Sequence, residues 1–256
     1  MKITPIKAFN DNYIWMIQEG NLAVCVDPGD ATPVLKFLVS NRLMLAQTWI
    51  THHHDDHCGG VNALWRTFLE SPVYGNSDIA EATHRTKAGL QIPFGDGLAT
   101  VWATPGHTSH HLSYLFETSD GLHVFCGDTL FSAGCGRVFT GTIGELFDSF
   151  LRFNQLPENT LFYPAHEYTV SNLRFAAHIE PDNADIHTAL QTAESATAPT
   201  LPVTLLHERK VNPFLRVGLP QVWERVEKLS GKKFAGEFEV FAALRELKNN
   251  PRTDVN

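Results

Sequence analysis

The sequence predicts an α/β fold of layered β-sheets and helices, followed by a small all-helical C-terminal part. Three observations carry this. Short runs rich in β-branched and aromatic residues recur at 13–17, 22–26, 47–50, 101–104, 112–118, 122–126 and 161–163, with helical stretches between several of them. Beyond about residue 170 such runs largely vanish, and helical patterns at 172–179, 183–197, 220–229 and 237–248 follow one another, separated by Pro and Gly. Residues 51–60, THHHDDHCGG, set four imidazoles, two carboxylates and a thiol between a strand and a helix. The expected division is a layered α/β domain over 1–169 and a helical domain over 170–256.

Taken in order, runs 13–17 and 22–26 are separated by Gln-Glu-Gly-Asn and read as a hairpin. Asp27-Pro28-Gly29 ends the second strand, and Thr32-Pro33 opens a helix to about residue 40. Asp27 admits two readings, a turn residue or a carboxylate that orients a ligand histidine. Run 47–50 is a short buried strand and 61–68 a helix, so the histidine-rich loop is carried between two rigid elements. Residues 75–97 read as an irregular exposed connection, with His84 a surface residue. Strand 101–104 leads into Pro105-Gly-His-Thr-Ser-His-His111, and strands 112–118 and 122–126 are joined by Ser-Asp-Gly. Gly127-Asp-Thr-Leu-Phe131 follows, then a glycine-rich stretch with no G-K-[ST], which rules out a phosphate loop. Thr142-x-x-Glu145 is a capping box for a helix reaching about 156, and strand 161–163 precedes Pro164-Ala-His-Glu-Tyr168.

The chain has 256 residues, enough for one large domain or a domain with an appendage. Its hydrophobic fraction of 43% and charged fraction of 19% are ordinary for a globular protein. A net charge of −8 argues against non-specific binding to nucleic acid or to an anionic membrane. The N-terminus lacks a secretory h-region, and no apolar run approaches the ~18 residues of a membrane span. The four cysteines show no C-x-x-C spacing, so a reducing cytosol is the expected setting.

Neutral imidazole and carboxylate are the ligands preferred by zinc and similar divalent metals. In an extended loop His52, His54 and Asp56 point one way, with His57 following into the helix. His53 and Asp55 lie off that face, and Cys58 reads as a buried small residue. His111, Asp128 and His166 each flank a short strand, and strands of a layered sheet end on a common edge where such loops converge.

The ordered set T-H-x-H-x-D-H (51–57), P-G-H-T-x-x-H (105–111), G-D-T-L-F (127–131) and H-E-Y (166–168) resembles the metallo-β-lactamase superfamily. That resemblance implies an αββα sandwich holding two divalent ions, with zinc first and iron and manganese also suited to such donors. It implies His52, His54 and His111 on one ion, Asp56, His57 and His166 on the other, and Asp128 between them. Asp56 and Asp128 then carry the catalytic roles, with Asp56 also orienting the attacking hydroxide. The superfamily has Gly before the second histidine of its G-H-T-x-G-H motif, where this chain has His110. His111 is taken as the ligand and His107 as a residue that supports the ligands.

Ala8-Phe-Asn-Asp-Asn-Tyr13, Val26-Asp-Pro-Gly29, Gly134-Cys-Gly136 and Asn212-Pro-Phe-Leu-Arg216 narrow the resemblance to the glyoxalase II (hydroxyacylglutathione hydrolase) family over nearly the whole chain. The resemblance implies hydrolysis of S-D-lactoylglutathione to glutathione and D-lactate, the second step of methylglyoxal detoxification, by a monomer. It also implies a glutathione site in which Arg245 and Lys248 match the family's Arg-x-x-Lys pair and Tyr168 its tyrosine near the substrate. Arg137 stands where the family has lysine, and Phe139 where several relatives have tyrosine. Alternatives on the same fold are a glutathione-persulfide dioxygenase with one iron, a lactonase-type dinuclear hydrolase, and a non-catalytic binding module.

Overall fold

The computed structural model describes residues 1–250 of the chain; residues 251–256, which the expected helical domain would include, lie outside the described residues. Two six-stranded sheets face each other. The first half of the chain supplies β1 (Lys2–Ala8), β2 (Asn12–Glu19), β3 (Leu22–Val26), α1 (Ala31–Asn41), β4 (Met44–Trp49), α2 (Asp55–Cys58), α3 (Val61–Thr67), β5 (Val73–Gly75), β6 (His84–Arg85), β7 (Gln91–Phe94), β8 (Gly97–Ala103), β9 (Leu112–Thr118) and β10 (Gly121–Gly127). A small hairpin, β11 (Leu130–Phe131) and β12 (Gly134–Cys135), precedes α4 (Ile143–Phe153) and β13 (Leu161–Pro164). Then come α5 (Thr169–Ile179), α6 (Ala184–Ser195), β14 (Val203–Thr204), α7 (Leu205–Val211), a 3-10 turn (Pro213–Leu215), α8 (Pro220–Ser230) and α9 (Glu237–Asn249).

The first sheet runs β1-β2-β3-β4-β5-β6 and the second β14-β13-β10-β9-β8-β7. Strand β2 shows why they pack face to face. Its whole central run is buried, with Tyr13, Trp15 and Ile17 in the inter-sheet core and Ile14 and Met16 against α1 and α3. Across the interface Trp49 stacks on Tyr114 at 5.2 Å and meets Phe116 and Phe125 edge-on. On the far side of the second sheet, Phe153 of α4 packs on Trp102 and Phe162. The capping box of α4 is present, with both the Thr142 and Glu145 side chains bonded reciprocally.

The helices after residue 169 do not build a wholly separate core. Val222, Val226, Val240, Phe241 and Leu244 belong to the same buried cluster as the inter-sheet aromatics, and Phe241 packs on Phe150 of α4. Three of the elements that differ from the expectation show why. Strand β1 pairs with β2 at the sheet edge, where Pro5 is tolerated. The stretch 75–97 is less irregular than its composition implies, because Ile92 and Phe94 alternate inward and make β7 an edge strand around Pro93. Helix α7 is a seven-residue element between prolines, too short for a periodic signal. Among the described residues no helix is long and apolar enough to cross a membrane.

Candidate metal centre and substrate cavity

The loop after β4 is seated by backbone on backbone. A Cβ at Gly29 would come 2.0 Å from the carbonyl oxygen of Asp56, and one at Gly60 would come 2.6 Å from that of Pro28. Asp27 resolves its two readings. It sits at φ 52 and accepts from the Thr51 N–H and hydroxyl, both at 2.7 Å, and from Nδ1 of His57 at 3.0 Å. That last bond leaves Nε2 of His57 as the donor atom.

Two clusters of donor atoms follow. On one side Nδ1 of His54 lies 3.0 Å from Nε2 of His52 and 3.1 Å from Nε2 of His107. On the other, Oδ2 of Asp56 lies 3.6 Å from Nε2 of His57 and 3.5 Å from Nε2 of His166. Asp128 stands between them. Its Oδ1 is 3.4 Å from both His57 and His166, and its Oδ2 is 3.5 Å from His107. Ligands at about 2.0–2.1 Å from a tetrahedral ion stand about 3.3–3.4 Å apart, and the observed separations bracket that value. Nε2 of His57 and Oδ1 of Asp128 are buried without a hydrogen-bond partner among the described residues. Such orphaned atoms are costly unless something binds them, so the residues present fit a pair of divalent ions.

The third imidazole of the first cluster is therefore His107, and the expectation that His111 fills this place is corrected. His111 is fully buried, and both its ring nitrogens are occupied. Its Nδ1 meets the hydroxyls of Thr104 and Thr129 at 3.1 and 3.2 Å, and its Nε2 accepts the backbone N–H of Asp128 at 3.1 Å. It has no lone pair left for a metal, and it acts by fixing the backbone of Asp128. His110 is exposed and is not among the residues at positive φ, so it meets no glycine requirement.

Two further residues escaped the sequence reading as individuals. Asp11 accepts from Nδ1 of His166 at 2.8 Å, and Asn12 donates to Oδ2 of Asp56 at 2.9 Å. Both sit where the β1–β2 turn meets His166, and only the tertiary pairing of that turn brings them to the centre.

The electrostatics suit metal binding. Burial, then the neighbouring imidazoles, hold His52 well below the usual histidine range, so it stays neutral. Burial opposes charge at Asp128 too, but His166 and His57 outweigh it and hold the carboxyl far below the usual range. In return Asp128 lifts His166 to about 9 against the effect of burial.

A cavity of about 540 Å³ opens on this centre. His54, Asp56, His107, Asp128 and His166 form one wall, while Arg137, Phe139, Tyr168, Arg245 and Lys248 line the rest. Tyr168 stacks on His166 with ring centroids 4.8 Å apart. Phe139 is exposed and meets His54 and His107 edge-on at 5.2 Å. Arg245 is buried, donates to the carbonyl of Cys135 at 2.8 Å and leaves Nε without an acceptor among the described residues. Lys248 donates to the carbonyl of Ser171 at 3.1 Å beside the Phe175 ring, and burial pushes its ammonium down to about 8.

The fold and the donor set define a protein of the αββα class whose His/Asp cluster fits a dinuclear metal site. Comparison with known proteins agrees. Residues 9–166 match the metallo-β-lactamase superfamily and residues 167–251 match the hydroxyacylglutathione hydrolase C-terminus. A hydroxyacylglutathione hydrolase of Neisseria meningitidis serogroup C is 73% identical over 99% of this chain and 100% of its own length. One from Legionella pneumophila is 44% identical over 98% of this chain and 99% of its own. The crystal structure of ETHE1 from Myxococcus xanthus superposes with a TM-score of 0.66 at 24% identity, covering 98% of this chain and 92% of that one, and shares the fold. The chain belongs to the hydroxyacylglutathione hydrolase family.

Proposed function

We propose that this protein hydrolyses the thioester of S-2-hydroxyacylglutathiones, with S-D-lactoylglutathione the main substrate, giving glutathione and D-lactate. The observation that carries the reading is that one and the same cavity sets a two-ion donor set against Arg137, Arg245 and Lys248. A tripeptide with two carboxylates meets those cations by charge-assisted hydrogen bonds, and the thioester then falls at the metal wall.

His52, His54 and His107 would hold one ion, Asp56, His57 and His166 the other, with Asp128 shared by both. Such an ion pair supplies Lewis acidity and a water acidified toward neutral pH. Zinc is the proposed metal, with iron and manganese the alternatives that metal analysis separates. Asp56 is ionised at neutral pH, because His57, the Asn12 amide and His166 outweigh burial, and it orients the attacking water. Attack at the carbonyl carbon breaks the C–S bond, and the sulfur leaves with the tripeptide held by the basic wall. No acyl-enzyme is needed. Cys135 lines the cavity but is buried, and burial raises its thiol above the usual range despite Arg245, which makes it a poor nucleophile.

Residues 1–169 then serve as the catalytic part and 170–250 as a substrate-binding part. A monomer in the cytoplasm completes the proposal; the four unpaired cysteine thiols support the reducing compartment. The donor set for a second ion favours the hydrolase over a single-iron oxygenase. The test is hydrolysis of S-D-lactoylglutathione by the purified protein with metal analysis of the same sample. Two ions per chain and thioester cleavage are expected; one iron and oxygen consumption would overturn the reading.

A further inference from the structure

The most enclosed carboxylate that the chemistry above leaves unused is Glu208 of α7. It is fully buried and has no cationic partner within salt-bridge distance among the described residues. Its Oε2 accepts from the Ala133 N–H and from Nδ2 of Asn212, both at 2.9 Å, and its Oε1 lies 3.1 Å from the Ser132 hydroxyl. These bonds converge on the turn between β11 and β12. Nδ2 of Asn212 also donates to the carbonyl of Gly134 at 3.0 Å, and Nδ2 of Asn172 donates to that of Ser132 at 3.0 Å. Ala133 sits at φ 54, a left-handed conformation that a non-glycine residue keeps only when its surroundings hold it.

The hairpin so clamped is part of the cavity. Phe131 packs edge-on against Tyr168 and His166 at 5.1 and 5.8 Å. Cys135 supplies the carbonyl that receives Arg245. The next residue, Gly136, donates to the carbonyl of Thr129 at 3.0 Å, and a Cβ there would come 1.9 Å from the carbonyl oxygen of Asp128. The helical part of the chain therefore reaches through this turn to the backbone of the shared metal donor.

We propose that Glu208 is a positioning residue for thioester hydrolysis, acting through the hairpin turn to set the cavity wall at Phe131 and Cys135 and the backbone beside Asp128. The inference rests on the function proposed above. The geometry also accommodates a neutral form of Glu208. Both obligate donors, the Ala133 N–H and the Asn212 amide, meet Oε2, while Oε1 faces a hydroxyl that can accept as well as donate. A neutral acid with its proton on Oε1, donating to the Ser132 hydroxyl oxygen, keeps both obligate donors paired without burying a charge. Burial pushes this carboxyl up to about 7, against the pull of its hydrogen bonds.

The test compares E208Q and E208A in the full-length, metal-loaded protein. The amide reproduces the neutral acid, with Oε1 taking the two obligate donors and Nε2 donating to Ser132. E208Q is expected to keep kcat/KM and metal retention against a chelator within about twofold of wild type. E208A leaves buried donors unpaired and is expected to lose about tenfold or more in kcat/KM and to release metal faster. Infrared difference spectra of wild type against E208Q, taken below neutral pH, should show the C=O band of a protonated carboxylic acid that the variant lacks. The proposal is overturned if E208Q is as impaired as E208A, or if E208A folds and works unimpaired. If E208A does not fold, the comparison of wild type with E208Q decides: matching activity with the infrared band supports the proposal, and lost activity or no band refutes it. Should the wild type leave glutathione thioesters intact, the functional reading fails, while metal retention and the infrared band still test Glu208.

Discussion

Replacing Lys248 by methionine removes one charge from the cavity and keeps an unbranched apolar stem beside Phe175, whose ring centroid lies 5.0 Å from Nζ in the native protein. A hydrogen bond from a cation to a carboxylate contributes about 1.5–3 kcal/mol. Lys248 is only partly buried, so solvent screening puts the effect at the lower end of that range. The expected outcome is a KM for the glutathione thioester raised about tenfold, with kcat within about twofold, as follows when a contact binds ground and transition states equally. The pH dependence gives a sharper signature. Burial, with Arg245 adding to it, lowers the ammonium to about 8, so Lys248 is charged below that pH and neutral above it. In the wild type kcat/KM, which reports the free enzyme, should fall as pH rises through about 8. The methionine variant should lack that limb, and added salt should weaken it less than the wild type. Steady-state hydrolysis of S-D-lactoylglutathione and of a simple thioester without the tripeptide checks all of this. Equal losses on both substrates, or an alkaline limb that survives the substitution, would refute the recognition role.

Asp128→Ala should lose both ions and nearly all turnover, since one oxygen faces His57 and His166 and the other faces His107; a variant with two ions and normal rates would remove Asp128 from the centre. His107→Ala should lower metal content by about one ion per chain, whereas His111→Ala should keep the donors and lower Tm, because an unpaired N–H at Asp128 costs about 1–3 kcal/mol. Metal analysis and calorimetry of the pair would reveal a reversed assignment. His110→Gly should leave metal content and turnover unchanged, given the exposure of His110. Phe139→Tyr should lower KM by about two- to twelvefold if a substrate acceptor lies within reach of the new hydroxyl, at about 0.5–1.5 kcal/mol per hydrogen bond; an unchanged KM would place Phe139 outside the tripeptide site.

The centre was legible in part because four of its donors are local. His52, His54, Asp56 and His57 fall within six residues, where spacing alone fixes their direction. The choice between His107 and His111 was not legible, because both flank the strand pair β8–β9 and only the tertiary fold decides which faces the cavity and which turns inward to Asp128. Asp11 and Asn12 reach their partners across 155 and 44 residues of sequence, so no periodicity announces them. The strands with continuous apolar runs were visible, whereas the edge strands around Pro5 and Pro93 were masked by residues that a central strand rejects. Helices α5, α6, α8 and α9 were visible by their 3.6-residue pattern, but the sharing of one core between the last third and the sheets depends on contacts that no local window contains.

The seating of the histidine loop on Gly29 and Gly60 limits how this centre can change. Where a loop rests on side chains, exchanging those side chains lets it drift and carry its ligands to new positions. Here main chain touches main chain, and a single added methyl group at either glycine would overlap a carbonyl oxygen. Nor can a small residue grow to take up a shift, because the atoms nearest each glycine are main chain. Diversification of the centre, in nature or by engineering, is thereby steered toward exchange of donor types on a backbone that stays in place, and toward the outer ring of Asp11, Asn12 and Asp27 that tunes them. An engineer seeking a different ion would do better to vary those three partners than to insert or delete residues in the loop.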